Sequence, residues 1–457
     1  MKIETEQQSP RRIAFLLDNL NGGGAERVIL GMASGFADLG YSVDLLVCEL
    51  HGELCASVPH NVNLIALPHV GKLEGLADAI RGAGWHGFGD LLFWVASGRK
   101  IPRSLCHVRA IRDYLRAQRP AVLCSALGKS NISAVLAAAV AGVETRVYVG
   151  AHIAHSQRSE QSRKSGKRQN YSIVPMLRRC FARAQGVIAV SRGVADDTIN
   201  FLGVDPARVH VVYNPVVTAQ AAGNCETLPV HPWFNNGALP VILGMGRLVE
   251  QKNFPLLIRA FAAARAKTAA RLVILGGDKS SAEQMAHRRQ LQALAAELGV
   301  ADDVALLGYQ SDPYAFLRAA SVFVLSSNFE GFGNVLVEAL QAGCPVVSTD
   351  CPSGPAEILD SGQYGTLVPV DDADSLARAI LSTLKAHPNA DKLRKRGNEF
   401  SLQRALDGYH QIFFGERAAL IAAELGEPSP ASPSSRAIRH ASGSHRMTHN
   451  SRGRVTI

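Results

Sequence analysis

The chain has 457 residues, 47% of them hydrophobic and 19% charged, with a formal charge of +9. That length and composition predict two or three domains with sizeable buried cores. The basic balance is compatible with nucleic acid, an anionic membrane surface or an anionic substrate, and does not choose among them. Met1 to Pro10 is polar and lacks the apolar core of a signal peptide. No run of about 18 apolar residues reads as a spanning helix. The eight cysteines are scattered without metal-ligand spacing and read as cytosolic thiols.

From Arg12 to Asn214 short apolar runs alternate with helical patterns. The predicted strands are Ile13–Asp18, Val43–Cys48, Val122–Ser125, Arg146–Val149, Gly186–Val190 and Val209–Val212. The predicted helices are Ala25–Leu39, Ser104–Gln118, Asn131–Ala141 and Val194–Leu202. Such alternation predicts a parallel sheet covered on both faces. Residues 1–214 are therefore expected to form a first domain. Residues 215–239, rich in Pro, Gly, Ala and Asn, read as a connection.

A second alternation follows over 240–400. Its strands are Val241–Met245, Leu272–Leu275, Val304–Leu306, Val322–Leu325, Pro345–Ser348 and Thr366–Val368. Its helices include Phe254–Ala266, Glu283–Leu298 and Asn334–Ala342, and Gly299 and Gly343 stand where a helix-ending glycine belongs. Residues 401–425 form a long helical pattern. The segment 426–457 is rich in Ser, Pro, Arg and His, and its composition predicts disorder.

Two loops carry the strongest chemical signal. Gly246-Arg-Leu-Val-Glu-Gln-Lys-Asn follows strand Val241–Met245, and Glu330-Gly-Phe-Gly-Asn-Val-Leu-Val-Glu follows strand Val322–Leu325. In an open α/β sheet, loops at the carboxyl ends of strands converge on one crevice. Arg247 and Lys252 supply two cations there, and the helix opening at Asn334 supplies free N–H groups. Both suit a diphosphate, while the Glu330 carboxylate suits sugar hydroxyls. Glu338 lies about a turn inside the helix. Together these residues predict a nucleotide-sugar site.

The first domain adds further candidates. Asn21-Gly-Gly-Gly opens a helix after the first strand and permits close backbone approach, but it is not the G-x-G-x-x-G dinucleotide fingerprint. His152 follows the strand beginning at Arg146, again at a carboxyl end, with His155 nearby. Two basic runs, Arg99–Arg119 and Arg158–Arg183, accompany the aromatics Trp85, Phe88, Phe93 and Trp94. Basic clusters beside aromatics suit an anionic membrane interface, with a solvated face and core packing as the plainer alternatives. The charge follows no nucleic-acid motif, so no nucleic-acid partner is expected.

The segments GRLVEQKN, EGFGNVLVEAL and STDCPSGPAEILDSGQYGTLVPV resemble the retaining GT4-type glycosyltransferases of the GT-B fold. NGGGAERV, VSRGV and VVYNPV fit the same family. The resemblance covers about Arg12 to Gly415 and implies two doubly wound Rossmann-like domains with the active site in the cleft between them. It implies a nucleotide-diphosphate sugar donor and no metal or other cofactor. By resemblance, Arg247 and Lys252 would bind the diphosphate beside Gly246. Glu330 would contact donor sugar hydroxyls, and the backbone of Phe332, Gly333 and Asn334 would hold sugar or phosphate. Glu338 would bind the ribose, Gly23 would approach the phosphates, and His152 would lie near the reacting sugar.

The helix over 401–425 would cross back to the first domain. CPSGPAEIL resembles bacterial enzymes of capsule, lipopolysaccharide and lipid-linked oligosaccharide synthesis. It suggests a UDP-hexose or UDP-N-acetylhexosamine donor and a glycan or lipid-linked acceptor. A cytoplasmic enzyme, peripheral at the inner face of the cytoplasmic membrane, is the expected setting. A nucleotide-sugar epimerase of similar architecture is the main alternative.

Overall fold

The computed structural model describes residues 11–82, 103–164, 166, 173–216, 229, 231–235, 239–277, 281–386 and 388–415. The tail and the aromatics Trp85, Phe88, Phe93 and Trp94 lie outside the described residues.

The first sheet has seven parallel strands in the order β3-β2-β1-β4-β5-β6-β7. They are β1 (Arg12–Leu17), β2 (Ser42–Val47), β3 (Asn63–Ala66), β4 (Val122–Ala126), β5 (Arg146–Ala151), β6 (Gly186–Ala189) and β7 (Val209–Val211). The second sheet has six, in the order β10-β9-β8-β11-β12-β13. They are β8 (Val241–Met245), β9 (Arg271–Leu275), β10 (Val304–Gly308), β11 (Val322–Leu325), β12 (Val346–Thr349) and β13 (Thr366–Val368). β4 and β11 are buried at every position, as strands covered on both faces must be.

In each sheet the winding direction reverses beside the first strand: between β1 and β4, and between β8 and β11. A crevice forms at such a reversal because the flanking loops diverge to opposite faces. The two motif-bearing loops follow β8 and β11, so both open at the second sheet's crevice.

Several elements escaped the sequence reading. β3 is a four-residue edge strand with no fully buried position, so its pattern carries no alternation. Two helices, α4 (His155–Lys164) and α5 (Val174–Arg183), occupy what reads as a basic run. The first three helices are α1 (Gly24–Asp38), α2 (Val108–Gln118) and α3 (Gly128–Ala141), and α6 (Arg192–Leu202) follows α5. In the second half come α7 (Phe254–Arg265), α8 (Ala282–Glu297), α9 (Pro313–Ala319), α10 (Asn334–Ala342) and α11 (Pro355–Ile358). α12 (Ala373–Ala386), α13 (Ala390–Gly397) and α14 (Leu402–Phe414) complete the described chain.

The helix predicted over 401–425 is described only to Phe414. α14 packs on the first sheet. Phe413 stacks on Phe36 with ring centres 5.8 Å apart. Tyr148 donates to the Ile412 carbonyl at 2.9 Å, and the Tyr41 hydroxyl meets His410 Nε2 at 2.7 Å. Aromatic pairs of this kind add about 1 kcal/mol each beyond their buried area. α14 thus ties the end of the second alternation to the first sheet.

Candidate active site

The second domain's wall is tightly built. Lys252 Nζ lies 2.6 Å from Glu330 Oε1, with both side chains largely buried. Ser327 Oγ donates to the same carboxylate oxygen at 2.7 Å. Ser326 Oγ donates to the Lys252 carbonyl at 2.8 Å, and Asn253 Nδ2 donates to Asn328 Oδ1 at 2.7 Å. These bonds hold the β8 and β11 loops as one unit. Arg247, beside Gly246, is exposed, and its side chain has no hydrogen-bond or ion-pair partner among the described residues. Lys252 and Arg247, read together as two cations for a diphosphate, therefore differ: the Lys252 side chain is engaged and that of Arg247 is free.

Gly331 and Gly333 explain why this loop needs glycine. A Cβ on Gly331 would lie 2.0 Å from the His152 carbonyl oxygen, so two backbones touch there. Gly333 has φ of 102° and caps α10 without a side-chain hydrogen bond, leaving the helix N-terminus open. Phe332 is a core residue, stacked on Tyr213 at 5.5 Å and edge-on to Phe400 at 5.4 Å, so only its backbone faces a ligand. Asn334 accepts from Asn214 Nδ2 at 2.9 Å. The Glu338 carboxylate accepts no hydrogen bond among the described residues. Burial pushes its carboxyl up, against Arg27 and Lys252, which favour the charge.

The first domain's wall is less satisfied. His152 follows β5, and both its ring nitrogens are buried without a partner. Burial pushes its imidazole down to about 4, so it is neutral at ordinary pH. Asp18, at the end of β1, has an unpartnered Oδ1. Its carboxyl is pushed up to about 6, by burial first and also by Glu49 and Glu26, with Lys129 opposing. Gly23 caps α1, and the Glu26 carboxylate folds back to 2.3 Å from where a Gly23 Cβ would lie. As the loop stands, carboxylates line it. His155 is structural: it meets the Phe181 ring edge-on at 5.8 Å, and its backbone N–H donates to Asp197 Oδ2 at 2.6 Å.

Besides the Asn214–Asn334 bond, the walls meet through polar contacts at the start of α6. Ser191 Oγ donates to the Gly331 carbonyl at 2.7 Å. The backbone N–H groups of Arg192 and Gly193, at the start of α6, donate to Glu357 at 2.8 and 3.0 Å. None of these residues announces its role locally, because each partner is far away in sequence.

The basic runs need correction. Arg158, grouped with the membrane-facing cations, is enclosed on most sides yet open to solvent, as in a cleft. Burial lowers its pKa, and the charge of Arg247 lowers it further. Arg109 and Arg112 serve the buried Asp78 at 2.9 and 3.8 Å. Arg116 donates to the Ala141 carbonyl at 2.9 Å, and Arg178 to that of Phe201 at 2.8 Å. Lys164 pairs with Glu160 at 3.0 Å. Lys167 and Arg168 lie outside the described residues.

Comparison with known proteins places this architecture. A family profile described as "Glycosyltransferase Family 4" matches residues 22–220, and one described as "Glycosyl transferases group 1" matches residues 232–400. The N-acetylgalactosamine-N,N'-diacetylbacillosaminyl-diphospho-undecaprenol 4-alpha-N-acetylgalactosaminyltransferase of Campylobacter jejuni is 33% identical over 216 residues, 47% of this chain and 54% of that protein. The lipopolysaccharide core biosynthesis glycosyltransferase LpsE of Rhizobium meliloti is 37% identical over 178 residues, 38% of this chain and 49% of that protein.

The matches span about half the length of these curated relatives. Among solved structures, Anabaena Alr3699/HepE in complex with UDP-glucose superposes with a TM-score of 0.66 at 17% identity, covering 88% of this chain and 98% of that one. That likeness is one of fold. The chain belongs to the GT4-type glycosyltransferases of the GT-B fold.

Proposed function

We propose that the protein transfers a hexose or N-acetylhexosamine, with retention, from a UDP-sugar to a glycan or lipid-linked acceptor in cell-surface polysaccharide synthesis. The observation that carries this reading is the joining of Glu330 and Lys252 at 2.6 Å beside the unpaired Arg247, at the crevice of the second sheet. A leaving diphosphate needs preorganised positive charge where negative charge develops, and Arg247 and Lys252 stand there. Glu330 Oε1 is already occupied by Lys252 and Ser327, which leaves its second oxygen for a sugar hydroxyl. In this reading Glu338 binds the ribose.

Retention fits a front-face route, in which the departing diphosphate helps take the acceptor proton. His152, neutral and without a partner, has nitrogens free for the reacting sugar or the acceptor hydroxyl. The relatives named above act on a diphospho-undecaprenol-linked glycan and in lipopolysaccharide core synthesis, which supports a lipid-linked or lipopolysaccharide acceptor. Those names are transferases and speak against the epimerase alternative. The same acceptor class supports a peripheral position on an anionic membrane. Among the described residues no helix is long and apolar enough to cross a membrane.

The test is a screen of UDP-sugars for nucleotide release with lipid-linked and lipopolysaccharide acceptors, followed by NMR of the product anomer. Acceptor-dependent UDP release with an α-linked product from an α-linked donor is expected. Inversion overturns the mechanism. Conversion of donor alone, without acceptor, overturns the transferase reading.

A further inference from the structure

The carboxyl edge of the first sheet gathers buried polar atoms without partners. Among the described residues four buried side-chain nitrogen or oxygen atoms lack a hydrogen-bond partner, and three of them are Asp18 Oδ1 and the two ring nitrogens of His152. The register of the sheet brings these residues to one place. Leu16, Ser125 and Val149 are level across β1, β4 and β5, so Asp18 comes two residues and His152 three residues past one line. The strands that carry them flank β4, so their ends lie roughly 10 Å apart. The sheet also reverses its winding here, between β1 and β4.

The surrounding backbone holds each side chain at this edge. The Glu49 N–H donates to the Asp18 carbonyl at 2.8 Å, and the Cys48 N–H to that of Leu17 at 3.0 Å, so the end of β1 is fixed to the chain after β2. The imidazole of His152 folds back over Gly150, where a Cβ would lie 2.8 Å from Nε2 and 3.1 Å from the Ser125 carbonyl oxygen. Between the two, β4 is followed by Leu127 with φ of 75°, a left-handed strain that a leucine rarely bears. Leu127 caps α3 without a side-chain hydrogen bond, so the first N–H groups of α3 open at the same edge. An ionised carboxylate accepts, a neutral imidazole donates at one nitrogen and accepts at the other, and the N–H groups donate. That set matches the hydroxyls of a sugar ring. Glu26 folds over Gly23 in the loop after β1, and Glu49 follows β2. A phosphate here would therefore meet three carboxylates, with Lys129 opposing.

We propose that Asp18 anchors the acceptor: its free oxygen receives a hydroxyl of the acceptor's terminal sugar, and the edge from Asp18 to His152 is the acceptor subsite. The assignment to an acceptor rests on the transferase function proposed above. No bond forms to Asp18, and the reacting hydroxyl still loses its proton toward the departing diphosphate. The carboxylate fixes the ring so that this hydroxyl faces the donor.

The experiment compares wild type, Asp18→Ala, Asp18→Asn and Glu330→Ala. Saturation-transfer NMR reads the binding of methyl glycosides of glucose, galactose, N-acetylglucosamine and N-acetylgalactosamine to the UDP-loaded protein. Calorimetry reads UDP affinity, and turnover reads the KM of the acceptor found in the screen above. Asp18→Ala should weaken glycoside binding and raise the acceptor KM by about tenfold or more, as for a lost hydrogen bond to a charged group. UDP affinity, and UDP release without acceptor, should stay within about twofold, because Asp18 touches no part of the donor. Asp18→Asn keeps one accepting oxygen and should recover part of the KM. It should also melt at or above wild type at neutral pH, because the buried charge it removes is costly.

Unchanged glycoside binding and acceptor KM in Asp18→Ala overturn the assignment. A lower melting temperature for Asp18→Asn also overturns it, since the carboxylate would then serve the fold. So does a loss of UDP affinity as large as the loss of glycoside, which would put Asp18 in the donor site. Glycoside binding lost in Glu330→Ala and kept in Asp18→Ala would place the glycoside in the donor sugar site, with the same consequence. If no acceptor supports transfer, the transferase reading fails. The subsite is then judged by glycoside binding alone, and equal binding, or none, in wild type and Asp18→Ala overturns it.

Discussion

The two walls of the cleft are built on opposite principles. In the second domain the central pair is already partnered, with Arg247 left free beside it: Glu330 holds Lys252 and Ser327, and neighbouring hydrogen bonds lock the β8 loop to the β11 loop. In the first domain buried groups lack partners: both nitrogens of His152 and Oδ1 of Asp18. A buried polar atom without a partner costs about 1–3 kcal/mol, so such groups persist where a ligand completes them. On the proposed function, the second wall is shaped for the donor before the donor arrives. The first wall waits for substrate to satisfy it.

The sharpest way to break this comparison is to strip the prepared wall. Lys252→Ala and Glu330→Ala should each cut transfer by on the order of 100-fold or more. Removing either partner also leaves the other charge buried and unpaired, which costs roughly 3–5 kcal/mol of stability. The two variants should nevertheless differ in calorimetry: Glu330→Ala keeps most UDP affinity, because its ligand is the sugar, and Lys252→Ala loses it. Equal retention of UDP by both would show that Lys252 serves only to hold Glu330.

His152 tests the unsatisfied wall, with an effect on turnover of roughly 10- to 100-fold for His152→Asn if its free nitrogens meet substrate. A pH measurement sharpens this. Burial puts the folded pKa near 4, below the 6.5 of an unperturbed histidine. Between those values the unfolded chain binds more protons than the folded one, so stability should fall as pH drops from 6.5 to 4. His155, also pushed down to about 4, has the same sign. Asp18, raised to about 6, has the opposite sign and loses stability as pH rises from 3.8 to 6. Denaturant midpoints measured across this window should show a shallower acid-side loss in His152→Asn than in wild type. An identical slope would mean that the imidazole is not held neutral.

The same division governs what the sequence reveals. The second wall was legible because its chemistry is local: Gly246, Arg247 and Lys252 share one loop, and Glu330, Gly333 and Glu338 share another, each after an unmistakable buried strand. The first wall was legible only at Gly23 and His152. The buried Asp78 was hidden too, because charge spacing cannot say that Arg109 and Arg112 of a basic run turn inward to it. Ser191 and Glu357 were invisible because their partners lie 140 and 165 residues away. Helix α4 has mostly polar positions and carries little apolar stripe, so periodicity could not find it.

Glu357 measures how far the two walls depend on each other. Its carboxylate receives two N–H groups at the N-terminus of α6, where the helix dipole favours an anion by about 0.3–1 kcal/mol at an accessible site. Glu357→Gln keeps the shape and removes the charge. Transfer should fall a few-fold, mostly in kcat/KM, with UDP affinity nearly unchanged, since the residue joins domains and touches no diphosphate. A loss as large as that of Lys252→Ala would place Glu357 in the donor site itself.

The smallest effects concern the outside of the first wall, where the basic runs divide by partner. Arg112 lies 3.8 Å from Asp78, which is almost fully buried and is also served by Arg81 and Arg109 at 2.9 Å. Arg112→Ala should therefore lower the melting temperature by a few degrees, for a loss of roughly 1 kcal/mol, without releasing the protein from vesicles. Arg163 is exposed near the end of α4 and carries no ion pair or side-chain hydrogen bond among the described residues. If the protein binds an anionic surface, each basic residue near that surface contributes roughly 1 kcal/mol. Arg163→Ser should then weaken sedimentation with anionic vesicles by about fivefold at low salt, leave neutral vesicles and UDP affinity unaffected, and lose its effect as salt screens the surface. If Arg112→Ala strips the protein from vesicles at an unchanged melting temperature, the division between fold-bound and surface cations is wrong. If wild type ignores anionic vesicles altogether, the acceptor reaches this cleft from solution.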